Sequence, residues 1–280
     1  MDDLLFHRAE DAGAQVIDGS SIVGLDSEDG YIKKFKLRSD DGQIVEIEAD
    51  LFVDATGRRA IVSRLFEKSQ SSRPTPMAKP KFVGFKAHLL ETSMPRGVCE
   101  IYSFRDGYAG LGHVENGFVN LCFLIRADAV RATDKDPTEI MRNIVSGNRR
   151  AAETLRSAVP AGDWLAVAID DFGTKSPVLA KNLFTVGDAA AFIDPFTGSG
   201  MVMALESAEI LADVITEYGT DLDAIAREYP RRYGHKFMRR LQICSFLRRT
   251  AFMPLIATGV VSLLQTTSVG LRHLARATRR

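Results

Sequence analysis

The sequence predicts an α/β protein, with α+β elements, in which an antiparallel sheet is inserted into a parallel one. Three observations carry that expectation. Two short, continuous apolar runs, Asp50-Leu51-Phe52-Val53 and Leu183–Val186, have the form of strands buried in a parallel sheet. Between them lies a block of strand segments punctuated by hairpin signals. From Gly200 onward apolar residues recur at helical spacing.

Residues 2–12 read as a short helix, with Leu4, Leu5 and Ala9 on one face and Gly13 placed to cap it. Strands are expected at Gln15–Ile17, Ile22–Leu25, Tyr31–Leu37 and Ile44–Ile47, separated by Asp18-Gly19, Asp29-Gly30 and Asp41-Gly42. This antiparallel meander leads into the first apolar run. Ser69–Pro80, with three prolines and several serines, reads as a domain crossing. A second strand block follows at Phe82–Leu90, Val98–Phe104, Tyr108–Val114 and Phe118–Ile125, with turn signals at Asp106-Gly107 and Asn116-Gly117. Asp136–Ala158 reads as one helix with Asp136 as N-cap and Pro137 in its first turn. A strand at Leu165–Ile169 precedes the second apolar run. In the last part, Met201, Ala204, Leu205, Ala208, Leu211, Ala212 and Ile215 share helical spacing, and a further helix is expected from Leu222 to about Leu247.

At 280 residues the chain suits one large domain or two ordinary ones. Lys plus Arg and Asp plus Glu both total 36, so the net charge is zero and the footprint of a nucleic-acid binder is missing. The first residues hold two aspartates and no apolar core of a secretory signal, so a cytoplasmic protein is expected. Cys99, Cys122 and Cys244 are odd in number and far apart, which fits reduced, mostly buried thiols rather than disulfides or a metal site. No metal is expected.

The chemistry is concentrated in Leu183–Gly200. An apolar strand ends at Gly187-Asp188, small residues follow, and Pro195 precedes a helix start at Gly198-Ser199-Gly200. Ligands of open parallel sheets bind beyond the carboxyl ends of the strands, where Asp188 would lie and accept hydrogen bonds from sugar-like hydroxyls. Gly198 and Gly200 lack Cβ atoms, so a planar ring can approach the backbone. The helix amino terminus offers N–H groups and partial positive charge to an anionic ring. Ala204, Ala208 and Ala212 would let that helix pack closely on the sheet.

The spacing Gly-Asp, six residues, Pro, two residues, Gly-x-Gly resembles the flavoprotein monooxygenases and reductases with the p-hydroxybenzoate hydroxylase fold. Geranylgeranyl reductases and flavin-dependent halogenases are relatives. The resemblance implies a discontinuous Rossmann-like FAD domain over 1–80 and 171–225, a sheet-rich substrate domain over 81–170 and a C-terminal helical region over 226–280. It places Gly187 and Asp188 on the ribityl chain of FAD. It places Pro195, Gly198, Ser199, Gly200 and Met201 at the flavin ring. Asp54-Ala55-Thr56-Gly57, after the first apolar run, is similar to the Asp-Ala-Thr-Gly turn that runs near the cofactor in that family.

The family's activity implies FAD with NADH or NADPH as electron donor and a small organic substrate. Monooxygenation of an aromatic or lipid-like molecule is the preferred reaction. Reduction of a carbon–carbon double bond, as in geranylgeranyl reductases, is the alternative, and a flavin-free binding protein or inactive fragment of the same fold is the non-enzymatic one. The Trp-x-Trp-x-Ile-Pro motif of the halogenase branch is missing, Trp164 being the only tryptophan, which points away from halogenation. Glu100–Tyr108 resembles the substrate-side sheet of the reductase branch, so Tyr102, Phe104 and Tyr108 either face substrate or pack a sheet face. His113 is left unassigned, and no catalytic residue is named.

The family's Gly-x-Gly-x-x-Gly turn, which binds the FAD pyrophosphate, is absent. Three explanations stand: Met1 is internal to a longer reading frame, which is preferred; a separate chain supplies the missing unit; or FAD has been dispensed with. The isolated chain is expected to bind FAD weakly or not at all. Residues 252–280 are apolar and then basic, ending in Leu271, Arg272, Leu274, Arg276, Arg279 and Arg280. Such a tail either lies on an anionic membrane surface or packs on the substrate domain, the second being preferred.

Overall fold

The chain passes five times between two folding units in the computed structural model, which describes residues 2–70, 79–133, 136–253 and 259. The first unit comprises Met1–Thr75, Ser176–Ala190 and Ala208–Pro230, and the second Pro76–Lys175, Ala191–Ser207 and Arg231–Arg280. In chain order the elements begin with α1 (Asp2–Asp11), β1 (Ser20–Glu28), β2 (Tyr31–Ser39), β3 (Ile44–Glu48), β4 (Phe52–Asp54) and α2 (Ile61–Gln70). The second unit then contributes β5 (Phe82–Leu90), β6 (Cys99–Phe104), β7 (Gly107–His113) and β8 (Val119–Arg126). It continues with α3 (Ala127–Arg131), α4 (Pro137–Asn143), α5 (Arg149–Thr154), β9 (Val159–Pro160), β10 (Leu165–Ile169) and β11 (Gly173–Thr174). After β12 (Val178–Ala180), β13 (Leu183–Thr185) and β14 (Ala191–Phe192) come the helices α6 (Gly200–Tyr218) and α7 (Leu222–Ala251).

In the first unit, β1, β2 and β3 form the expected antiparallel meander. Asp29 and Gly30 turn it at φ 52° and 81°, which their small or absent side chains permit. Gln15–Ile17, expected as a strand, is irregular and pairs with none among the described residues. β4 and β13 run parallel with Phe52 opposite Leu183, and β12 flanks β13 antiparallel. Phe35, Phe52, Val62 and Leu183 close a core between meander and sheet. Asn182 ties the two: its buried amide accepts from Ile32 N at 2.8 Å and donates to Ile32 O at 2.9 Å and Asp50 O at 3.2 Å. β4 is an edge strand among the described residues, and Val53 is 39% exposed, as expected where the neighbouring strand of the family's sheet is missing from the sequence. In α1 no residue is buried, so Leu4, Leu5 and Phe6 stand exposed.

In the second unit the strands pair antiparallel in the order β10-β5-β8-β7-β6, with β9 on the end of β5. Period-two alternation gives this sheet two unlike faces. One buries Phe85, Leu89, Leu111, Leu121 and Ile125 against Ile140 and Met141 of α4 and Ala151 of α5. Truncating Leu121 there removes about 2–5 kcal/mol. Tyr102 and Phe104 belong to this core at 3% and 2% exposure, so of the two alternatives they pack a sheet face. The register sets Tyr108 opposite Ser103 and so on the other face. The expected helix over 136–158 is broken, because the chain tightens into a 3-10 turn at Val145–Gly147 and Asn148 caps a new helix by accepting from Arg150 N and Ala151 N.

Other expectations need correction. α6 buries Met203, Ser207, Leu211 and Val214, while Ala208 and Ala212 are exposed; the buried stripe follows the larger residues. Cys244 is buried, but Cys99 and Cys122 are exposed because both stand on the sheet's open face. The expected crossing at 71–78 and the basic end of the tail lie outside the described residues. Within those residues no helix is long and apolar enough to cross a membrane, and no group of His, Cys, Asp or Glu is placed to hold a metal ion.

Candidate functional site

The residues singled out in the sequence fall into two groups, one in each unit. In the first unit β4 and β13, parallel neighbours, end side by side and deliver Asp54-Ala55-Thr56-Gly57 and Gly187-Asp188 from their carboxyl ends. Asp54 is fully buried. Its Oδ1 accepts from Thr56 N at 2.9 Å and Thr56 Oγ1 at 2.6 Å, and its Oδ2 from Ser63 N at 3.1 Å and Ser63 Oγ at 2.8 Å. With both oxygens engaged by the chain, Asp54 shapes the turn rather than reaching outward. Gly57 holds φ +67°, and a Cβ there would meet nothing within 4 Å, so the turn presents bare backbone to open space. Asp188 is half-buried in a 3-10 turn opened by Gly187 at φ +58°. Burial pushes its carboxyl above the usual carboxylate value, and the Arg58 charge opposes that rise.

In the second unit, Asp194 begins the turn Pro195–Thr197 and caps it by accepting from Phe196 N at 2.9 Å. Gly198 follows at φ +62°, Ser199 is buried, and α6 starts at Gly200. A Cβ on Gly198 would meet nothing within 4 Å, whereas one on Gly200 would press Ile193 Cγ2 at 3.4 Å. Pro195, Gly198 and Ser199 line a cavity of about 1180 Å³ against the open face of the sheet. Met201 is 65% exposed.

The floor of that cavity follows from register. Ile101, Gly110, Cys122, Lys86 and Leu165 stand opposite one another in a row across all five strands. Gly110 contributes no side chain, and a Cβ there would meet nothing within 4 Å, so the row has a trough at its middle. Tyr108 lines the same cavity, its hydroxyl donating to Asp194 Oδ1 at 2.5 Å and its ring edge-on to Phe196 at 5.1 Å. Asp194, 2% exposed, also pairs with Arg248 Nε at 3.1 Å. Burial pushes the Asp194 carboxyl above its usual value against the Tyr108 and Phe196 hydrogen bonds and the Arg248 charge. Burial and the Asp194 charge together raise the Tyr108 hydroxyl strongly, so it stays protonated.

Sequence reasoning missed Asp194, Arg248 and the row through Gly110. An acidic residue directly before a proline is an N-cap signal and was available; Arg248 and the row depend on tertiary pairing. His113 Nε2 meets Met94 O at 3.1 Å and Trp164 Nε1 donates to Thr138 Oγ1 at 3.0 Å, so both serve the scaffold.

Residues 1–221 match the sequence model of a family described as the FAD binding domain. The chain belongs to that family. The first group offers a half-buried carboxylate at Asp188 and bare glycine backbone at Gly57; the second offers bare backbone at Gly198 and a helix amino terminus with no acidic residue in its first turn. The chain is 24% identical to the tryptophan 2-halogenase of Chondromyces crocatus over 88% of its own length and 48% of that protein. It is 26% identical to the menaquinone reductase of Mycolicibacterium smegmatis over 95% of its length and 64% of that protein. It thus spans about half to two-thirds of these curated relatives. The fold is that of a geranylgeranyl bacteriochlorophyll reductase-like protein from Thermoplasma acidophilum, with TM-score 0.78 at 19% identity over 99% of this chain and 70% of the other. A flavin-dependent brominase superposes with TM-score 0.76 at 18% identity, covering 99% and 68%. The chain is therefore of an FAD-dependent oxidoreductase family with mixed helix and sheet architecture.

Proposed function

We propose that this FAD-binding chain serves an oxidoreductase that reduces a double bond in a large apolar, isoprenoid-like molecule. The observation that carries the reading is the cavity of about 1180 Å³, walled by Phe192, Phe196, Leu124 and Val167 and bordered by the glycine turn. A volume of that order suits a long hydrocarbon body rather than a single ring. FAD supplies hydride transfer when bound. Asp188 would accept hydrogen bonds from its ribityl chain, and the Gly198–Gly200 backbone with the α6 terminus would face the ring with partial positive charge. The open sheet face orients the substrate and excludes water. Reductases among the relatives support this direction, since the menaquinone reductase aligns over 95% of this chain.

A second reading, NAD(P)H-driven monooxygenation of an aromatic molecule, is favoured by the aromatic pair Tyr108 and Phe196 at the cavity wall. In either case NADH or NADPH is the proposed electron donor. The pyrophosphate-binding unit that this chain's sequence lacks is proposed to come from preceding sequence or from a separate chain. The edge of β4, unpaired among the described residues, suits such an addition.

The test incubates the chain, joined to its preceding sequence, with FAD, NADH or NADPH, and either menaquinone or a simple phenol. Mass spectrometry that finds the quinone, after reoxidation of any quinol, still heavier by two hydrogens supports the first reading, and a gain of one oxygen supports the second. Absence of FAD binding by the extended chain overturns both.

A further inference from the structure

The segment 191–207, which carries the glycine turn, is gripped at two points by the second half of α7. Arg248 Nε lies 3.1 Å from Asp194 Oδ2, with the two side chains 14% and 2% exposed. Eight residues earlier on α7, Arg240 Nη1 lies 2.9 Å from Glu206 Oε2, and Lys236 Nζ 3.0 Å from Glu206 Oε1. The glycines fall between the two acidic residues: Asp194 precedes Gly198 by four positions, and Glu206 follows Gly200 by six.

Neither pair is economical for stability. Arg240 is 1% exposed, and its Nε and Nη2 have no hydrogen-bond partner among the described residues. Arg248 Nε and Asp194 Oδ2 face each other without hydrogen-bond alignment, so charge alone holds them. Desolvating such pairs costs as much as the attraction returns, and apolar residues of equal volume stabilise a core at least as well. What ion pairs provide and apolar contacts do not is a defined position. Arg248 itself rests on the neighbouring rings of Phe82 and Phe172, which lie 5.5 Å and 5.1 Å from its guanidinium carbon. The turn needs such fixing, because Gly-Ser-Gly loses more backbone freedom on ordering than other sequences.

We propose that Arg248 and Arg240 are positioning residues for the cofactor, holding Asp194 and Glu206 so that the Gly198–Gly200 backbone is ordered before FAD arrives. The proposal rests on the reading of that turn as the flavin-facing one.

Its test compares the chain extended by its pyrophosphate-binding unit with the Arg248→Met, Arg240→Met and Arg248→Lys variants of the same extended chain, by amide hydrogen exchange, with and without FAD, and by FAD titration. Without FAD, both Met variants are expected to exchange the peptide over 195–203 at least about tenfold faster while β5–β8 exchange is unchanged. Arg248→Lys is expected to recover much of the protection. FAD affinity falls about tenfold in the Met variants, the ordering cost now being met on binding. Unchanged turn protection in both folded Met variants overturns the proposal. If Arg248→Met fails to fold, Asp194→Asn with Arg248→Met leaves neither charge of that pair buried alone; a loosened turn in that double variant supports the proposal, and a wild-type turn overturns it. A loosened turn with no FAD binding by any form upholds the clamp and overturns the flavin reading.

Discussion

Tyr108 and Asp194 are joined by a 2.5 Å hydrogen bond across 86 residues of sequence, the hydroxyl donating to Oδ1. That bond fastens the turn before Gly198 to the sheet that lines the cavity. Tyr108→Phe keeps the ring against Phe196 and removes only the donor. A buried carboxylate that loses one of its donors is expected to cost about 1–3 kcal/mol, read as a lower urea midpoint with the slope unchanged. An unaltered midpoint shows that the bond contributes nothing net.

Asp54 and Asp188 stand at neighbouring strand ends yet predict opposite phenotypes. Asp54→Ala strips partners from Thr56 and Ser63 and is expected to destabilise the first unit by about 3–5 kcal/mol. Asp188→Ala relieves a half-buried carboxylate and leaves melting unchanged or slightly raised, while FAD binding weakens by about tenfold or more. Calorimetry with flavin-fluorescence titration separates the two, and equal melting losses defeat the distinction.

Gly110 sets the depth of the trough. Its φ is not in the left-handed region and a Cβ meets nothing within 4 Å, so the side chain of Gly110→Val starts into open space. Stability is expected to hold or rise by a few tenths of a kcal/mol, while uptake of geranylgeraniol falls at least about tenfold. Uptake equal to wild type places the substrate elsewhere.

Glu100 gives the second unit an acid limit. Burial works to raise its carboxyl, but hydrogen bonds from Tyr102, Arg150 and Thr154 prevail and hold it below the ordinary value of 4.5. The unfolded chain therefore takes up the proton first as pH falls. The stabilisation is full above the ordinary value and fades as pH drops toward the lowered one. Glu100→Gln is expected to flatten the acid arm of a stability–pH curve; parallel curves refute the assignment.

The strands were legible where period and turn chemistry agreed: Phe82–Leu90 and Leu165–Ile169 were bounded as they occur, because alternation and Asp-Gly turns act locally. The glycine positions of the candidate site stood out through the spacing of Gly-Asp, Pro and Gly-x-Gly and the family resemblance that spacing carries. Gln15–Ile17 misled because a strand needs a partner, which propensity does not reveal. Tyr102 and Phe104 were ambiguous because alternation tells which residues share a face but not which face meets the core. The α7 arginines were invisible, since an ion pair across tens of residues leaves no local pattern.

The division of the β5–β8 sheet into a packed face and an open one bears on how such a protein changes over time. Odd and even positions of one strand answer to different pressures. Phe85, Leu121 and Phe123 are constrained by the core, while Lys86, Gly110 and Cys122 are released from it. A lineage can therefore try new cargo one residue at a time without risking collapse of the scaffold.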